Sequence, residues 1–181
     1  ASNGSLCGGY NANVIRHFHE WVNNNMDLGK ENLVIYPVGK KIEEAVRKAG
    51  FEPAGSFSKM ADKPNFESAS ADQLTKSFIN GEVDRIDLLF NHFKSTATQE
   101  LTLTHFLPVD LSQLKQQHQS DDYTPNYIVE PSPDTFLQQL LPTVLHIKLY
   151  TALLDSNASE HAARTMAMQI ATDNANDLLQ D

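Results

Sequence analysis

Apolar residues recur along this chain with two different periods. Val14, Ile15, Phe18, Trp21 and Val22 fall three or four apart, which predicts a helix from Tyr10 to about Asn25. The polar run Asn23-Asn24-Asn25 ends it. Residues 33–38 are a short apolar run and predict a buried strand. Gly39 turns the chain into a helix over residues 40–49, closed by Gly50. Residues 51–58 predict a second, shorter strand. Phe66, Ala69, Leu74 and Phe78 predict a helix over residues 65–80, ended by Gly81. Two further strands are expected at 84–94 and 96–107. The second alternates Ala97, Gln99, Leu101, Leu103 and His105 against threonines and Glu100, and Pro108 ends it. Residues 114–122 are rich in Gln and Asp and predict a loop; residues 127–130 predict a short strand between prolines. Strands and helices alternate in order. The pattern therefore predicts an α/β fold, with a mostly parallel sheet flanked by helices in a Rossmann-like three-layer arrangement, and a long C-terminal helix.

That last helix dominates the pattern. Ser132 is a good N-cap, Pro133 suits the first helical position, and Asp134 suits the positive end of the dipole. No glycine follows Pro133, and Ala, Leu, Met and Gln prevail. Such a helix reaches about 70 Å at 1.5 Å per residue, with Pro142 as the expected kink. Helices of this length point to a coiled coil, a membrane span or a repeat. Asp155, Glu160, Arg164, Asp173 and Asp177 interrupt any apolar run long enough to span a bilayer. A seam is visible instead. Leu149, Ser156, Ala163 and Ile170 recur at heptad spacing, with Leu153, Glu160, Ala167 and Asn174 between them. The expected organisation is an α/β body over residues 1–132 and a helix over 133–181 that leaves the body toward a partner helix. A long helix packed on its own domain is the alternative.

Composition narrows the partners. The 181 residues carry a net charge of −9, which argues against nucleic acid or an anionic membrane as the main partner. The 40% hydrophobic content supports a packed core. A single cysteine, Cys7, excludes an internal disulfide and fits a reducing compartment. Neither a signal peptide nor a membrane span is expected, and both ends look cut, as in a fragment.

Candidate chemistry is sparse. Gly8-Gly9 ahead of a helix resembles a phosphate-binding turn, but Leu6 stands where the dinucleotide fingerprint needs its middle glycine. Gly39-Lys40-Lys41 lacks the earlier glycine and the Ser or Thr of a P-loop. Cys7 precedes a helix, where a thiol can become reactive, yet His17 and His19 lie two or three turns away. Those two histidines point to different faces, and no metal-ligand spacing is present. Glu160 and Arg164 form an i,i+4 pair, expected as a surface salt bridge. No nucleophile–base–orienter set emerges, so no catalytic residue, cofactor or metal is assigned. A small α/β nucleotide binder or a helix-mediated adaptor stays open as an alternative.

Two strings carry a resemblance. S-N-G-S-L-C-G-G-Y-N at Ser2 to Asn11 and S-E-H-A-A-R-T-M-A-M-Q-I-A-T-D-N-A-N-D-L at Ser159 to Leu178 resemble the gamma subunit of rotary ATP synthases. F-N-H-F-K-S from Phe90, F-L-P from Phe106 and Y-I-V-E-P-S-P from Tyr127 fall in the same order as similar strings of that family. Two positions depart from it. Gly4-Ser5 stands where Arg-Gly is usual, and Thr165 stands where Met is common. The resemblance implies a non-catalytic rotor subunit of an F-type ATP synthase, peripheral on the cytoplasmic face of a bacterial inner membrane. It would couple ion flow through the membrane c-ring to ATP synthesis in the alpha–beta ring. Leu6, Cys7 and Gly8 match a turn facing the beta subunits, and Arg164, Thr172, Asp173 and Asn174 match the axle near it. Tyr127, Glu130 and Pro131 match the lower segment near the epsilon subunit and the c-ring. The long helix would be the root of a coiled-coil axle.

Overall fold

The computed structural model describes residues 1–66, 71–109, 130 and 132–180. Helix α1 (Tyr10–Asn24) buries Tyr10, Val14, Phe18 and Val22, one residue per turn. Two single 3-10 turns follow, at Met26–Leu28 and Lys30–Asn32. Helix α2 (Lys40–Lys48) buries Ile42, Ala45 and Val46. It ends in a Schellman motif: the Phe51 N–H donates to Val46 O and the Gly50 N–H to Arg47 O, with Gly50 at φ +80°. Phe51 then folds back on Val46 in the core. Short α3 (Ser58–Asp62) and α4 (Ala71–Ile79) follow. The predicted helix at 65–80 is thus shorter than expected, and residues 67–70 lie outside the described ones.

β1 (Ile86–Phe93) and β2 (Gln99–Leu107) form an antiparallel hairpin with Phe93 opposite Gln99. This corrects the expected fold class. Among the described residues there is no parallel Rossmann-like sheet; the hairpin is the whole sheet, and helix prevails. The connection at 94–98 is far shorter than the dozen or more residues that a parallel crossover needs, so the two strands can only pair antiparallel. The expected strands at 33–38 and 51–58 meet at one parallel bridge, Ile35 to Pro53. Pro37 and Pro53 have no N–H to extend that ladder. Of the expected strand at 127–130, residues 127–129 lie outside the described ones, as does the expected loop at 114–122.

The hairpin separates two apolar clusters. Leu89 and Leu101 pack on Val14, Phe18, Val46 and Phe51. Ile86, Leu88 and Phe106 lie with Ala71, Leu107 and Leu145. Alternate strand residues therefore serve opposite layers, as the pleat requires. Val46 and Phe106 are completely buried, worth about 1.5–3 kcal/mol each.

The last element, α5 (Pro133–Gln180), is one continuous helix of 48 residues with Pro142 inside it. Its N-cap is as expected: Ser132 Oγ accepts from the Thr135 N–H at 3.3 Å. Leu145, Ala152, Ser159, Glu160 and Ala162 are buried against the body. The heptad seam lies largely on the same side, since Leu149 through Ala167 are all at least partly covered. Only Ile170 and Asn174 of the seam stand exposed. Other apolar residues of α5 do face solvent, among them Leu137, Leu140, Val144, Ile147 and Met168.

Candidate partner-contact site

Residues 1–9 lead into α1 and lie across the start of α2 and the side of α5. Lys40 N–H donates to Asn3 Oδ1 at 2.9 Å, and Lys41 N–H donates to Ser2 O. Asn3 thereby caps α2 from a distant part of the chain. Its amide nitrogen donates to Ser58 O at 2.6 Å, tying in α3 as well.

Under the following turn lies a polar nest. Cys7 is 2% exposed, and its Sγ accepts from Asn11 Nδ2 at 3.1 Å with Ser2 Oγ 3.7 Å away. Asn11 Nδ2 also donates to Ser2 Oγ and to Gly4 O. The buried thiol is part of the turn's framework. Asn11 was missed as a site residue in the sequence pattern, although its position one helical turn after Cys7 was legible.

Leu6 is the opposite case. It is 74% exposed and sits at φ +65°, the left-handed region that bulky residues avoid. That conformation costs about 1 kcal/mol, and a leucine this exposed recovers little of it by burial. Strain of this kind gathers where a backbone is shaped for a partner.

The turn rests on α5. A side chain at Gly8 (φ +54°) would lie 3.8 Å from Ala167 Cβ and 4.0 Å from Ala163 O. One at Gly4 would lie 3.6 Å from Arg164 Nη2. The small seam residues Ala163 and Ala167 therefore receive the body's own turn. A shallow groove of about 250 Å³ opens beside them, with Asn91 and residues 96–97 of the hairpin on its far wall.

Arg164 reaches back to Glu160, with Nη2 2.7 Å from Oε1. The pair is not the surface salt bridge expected from its spacing, because Glu160 is only 6% exposed. Nearby, Tyr10 Oη donates to Ser156 O at 2.9 Å, and burial pushes the phenol pKa up from its usual range.

Of the residues singled out in the sequence, Leu6, Cys7, Gly8 and Arg164 come together here. Thr172, Asp173 and Asn174 lie on the same helix about 12–15 Å further along, all exposed. Thr172 Oγ1 donates to Met168 O, and Asp173 Oδ1 accepts from Gln169 Nε2 at 2.8 Å. Glu130 is exposed and precedes α5, about 50 Å along the chain axis from Arg164. Tyr127 and Pro131 lie outside the described residues. Three of the described histidines pair with carboxylates: His17 with Glu20 at 3.0 Å, His92 with Asp155 at 2.6 Å and His105 with Asp87 at 2.9 Å. No described helix is long and apolar enough to cross a membrane.

Comparison with known proteins extends this picture. A family model described as ATP synthase matches residues 1–181. The ATP synthase gamma chain of Phocaeicola vulgatus is 55% identical over 183 residues, covering 100% of this chain and 63% of the relative. That of Bacteroides fragilis is 51% identical with the same coverage, and that of Flavobacterium johnsoniae 38% identical over 98% of this chain and 60% of the relative. The chain thus spans a little under two thirds of these relatives' length. Its fold matches a chain in the structure of the Tetrahymena thermophila mitochondrial ATP synthase central stalk and c-ring. The TM-score is 0.67 at 23% identity, over 95% of this chain and 73% of that one. A chain in the Euglena gracilis mitochondrial ATP synthase rotor matches with TM-score 0.65 at 20% identity, over 99% of this chain and 67% of that one. With the glycine turn, the hairpin and the long helix all inside the match, this chain belongs to the ATP synthase gamma chain family.

Proposed function

We propose that the chain forms the body and axle root of the central-stalk rotor in an F-type ATP synthase. It carries out no covalent chemistry of its own. Torque passes between an ion-driven c-ring and the alpha–beta catalytic ring through residues 1–132 as body and 133–181 as axle. The observation that carries this reading is mechanical. A helix of 48 residues is buried along one face through Ala162, then projects with every residue from Ala171 to Gln180 exposed. A stiff lever anchored in a packed body is what torque transmission needs.

The strained, exposed Leu6, in the turn whose Gly4 lies against Arg164, supports a contact with the moving part of the beta subunits. Cys7 and Gly8 would shape that contact, and Thr172, Asp173 and Asn174 would extend it along the axle. Tyr127, Glu130 and Pro131 would meet the epsilon subunit and the c-ring. Such a chain works at the cytoplasmic face of a bacterial inner membrane without inserting in it.

The test is direct. The full-length protein is assembled with its alpha–beta ring and carries a rod on an exposed body residue such as Glu82→Cys. On addition of ATP the rod should turn. A rod that stays still while the ring hydrolyses ATP refutes the rotor reading.

A further inference from the structure

We infer that a ring of hydrogen bonds around residues 146–159 of α5 is the key that stops the axle rolling in the body, with Tyr10, Asn157 and Ser159 as positioning residues. This rests on the rotor reading above. Apolar burial alone would not provide such a key. It is non-directional, so a helix on an apolar bed resists being pulled off more than being turned about its own axis. A shaft under torque needs directional bonds at several points of its circumference.

The structure supplies them from different sides. Lys148 Nζ donates to His105 O at 2.9 Å, and Ser159 Oγ donates to Asn91 O at 3.3 Å. Asp155 Oδ2 lies 2.6 Å from His92 Nδ1. These three bonds reach the hairpin. From the other side, Asn157 Nδ2 donates to Ala61 O of α3 at 2.8 Å. His146 Nε2 bonds to Phe66 O, with the two rings stacked at 4.1 Å. Between the two groups, Tyr10 Oη of α1 donates to Ser156 O at 2.9 Å and lies 2.8 Å from Ser156 Oγ.

Their angular placement is the point. At about 100° per residue, His146 and Asn157 fall within about 20° of each other. Lys148, Asp155 and Ser159 cluster about 160–220° away, and Ser156 falls between the groups. The helix is therefore held across roughly half its circumference within four turns. Five of the seven bonds end on a main-chain oxygen, which cannot swing with a side chain. Rolling α5 in either direction would stretch bonds on one side without relaxing those on the other.

The experiment uses the same full-length complex with a rod at Glu82→Cys; native Cys7 is buried and does not compete for the label. The angular variance of the rod is measured with the ring stalled in one catalytic dwell. The variant Tyr10→Phe, Asn157→Ala, Ser159→Ala removes one bond from each side and the two Tyr10–Ser156 bonds between them. Variance should rise about twofold, since four of seven bonds of comparable strength are lost. ATP hydrolysis by the ring should be kept. Val46→Ala weakens the other side of the body and should leave variance unchanged. If the triple variant fails to assemble, Tyr10→Phe alone should give a smaller rise. Unchanged variance in the assembled triple variant or in assembled Tyr10→Phe, or an equal rise in Val46→Ala, overturns the key. A rod that does not turn in the unsubstituted complex instead overturns the rotor reading, and the key with it.

Discussion

Gly39 is where a single methyl group should do the most damage. It sits at φ +104° and ψ 145°, a region essentially reserved for glycine. A Cβ built there would lie 2.0 Å from Ala1 O and 3.2 Å from Ser2 O. Both neighbours are backbone, so no side chain can swing aside. Gly39→Ala must distort its own dihedrals and lift residues 1–3 off the start of α2. The bonds from Lys40 N–H to Asn3 Oδ1 and from Lys41 N–H to Ser2 O would then be lost. Strain of about 2 kcal/mol and two bonds of about 1 kcal/mol each give about 4 kcal/mol. Gly81→Ala is the matched control. It also has positive φ, at +72°, but nothing lies within 4 Å of its Cβ position, so only about 1 kcal/mol is expected. Urea unfolding of the chain, followed by circular dichroism, reads the difference. With a slope of about 2 kcal/mol per molar, the midpoint should fall by about 2 M for Gly39→Ala and about 0.5 M for the control. Equal shifts would show that residues 1–3 are not seated over Gly39, and the site built on that seat would fall with them.

Other perturbations test separate parts of the structure. Arg164→Ala should cost about 3 kcal/mol because it leaves Glu160 buried and unpaired, and adding Glu160→Gln should return part of it; a loss under 1 kcal/mol in urea unfolding would mean that Glu160 reaches water. Burial pushes the Asp87 carboxyl up, but bonds and charges from Arg85 and His105 outweigh it and hold it below the usual carboxylate range. A depressed folded pKa gives stability that is present above about pH 4 and lost as pH falls through the folded value, so Asp87→Asn should flatten acid unfolding below about pH 4. Unchanged acid sensitivity in that variant would refute the network. Amides of residues 171–180 should exchange far faster than those of 145–162, because every residue of that end of α5 is exposed; equal protection would mean that a neighbour covers it.

Much of the local structure was legible because local rules decide it. The apolar stripe of α1, the Ser132 cap, the glycine after α2 and the unbroken helix after Pro133 depend on residues a turn or two apart. The charge pattern in α5 was enough to argue against a membrane span, and the strings around Cys7 and Arg164 were specific enough to carry the family. Partner choice was not legible in the same way. An apolar run at 33–38 says that a segment wants burial, yet not whether a neighbouring strand will have N–H groups to offer; Pro37 and Pro53 left it one bridge. Strand direction also follows from what the connection can span. The short link at 94–98 decided for a hairpin, against an alternation that suggested a parallel sheet.

The same division runs through the candidate site. Spacing alone put Glu160 and Arg164 on one face of a helix. It could not say that the body closes over that face and leaves Glu160 buried. Small residues at Ala163 and Ala167 announced a close approach, but the approaching element is the chain's own glycine turn. Sequence by itself determined α1, α2, the long α5 with its Ser132 cap, and the family, because each rests on contacts near in the chain or on a contiguous motif. Tertiary structure alone decided the antiparallel sheet, the burial of Glu160, the strained exposure of Leu6 and the bonds around α5. Those depend on which distant surfaces meet, and a pattern of polarity does not carry that information.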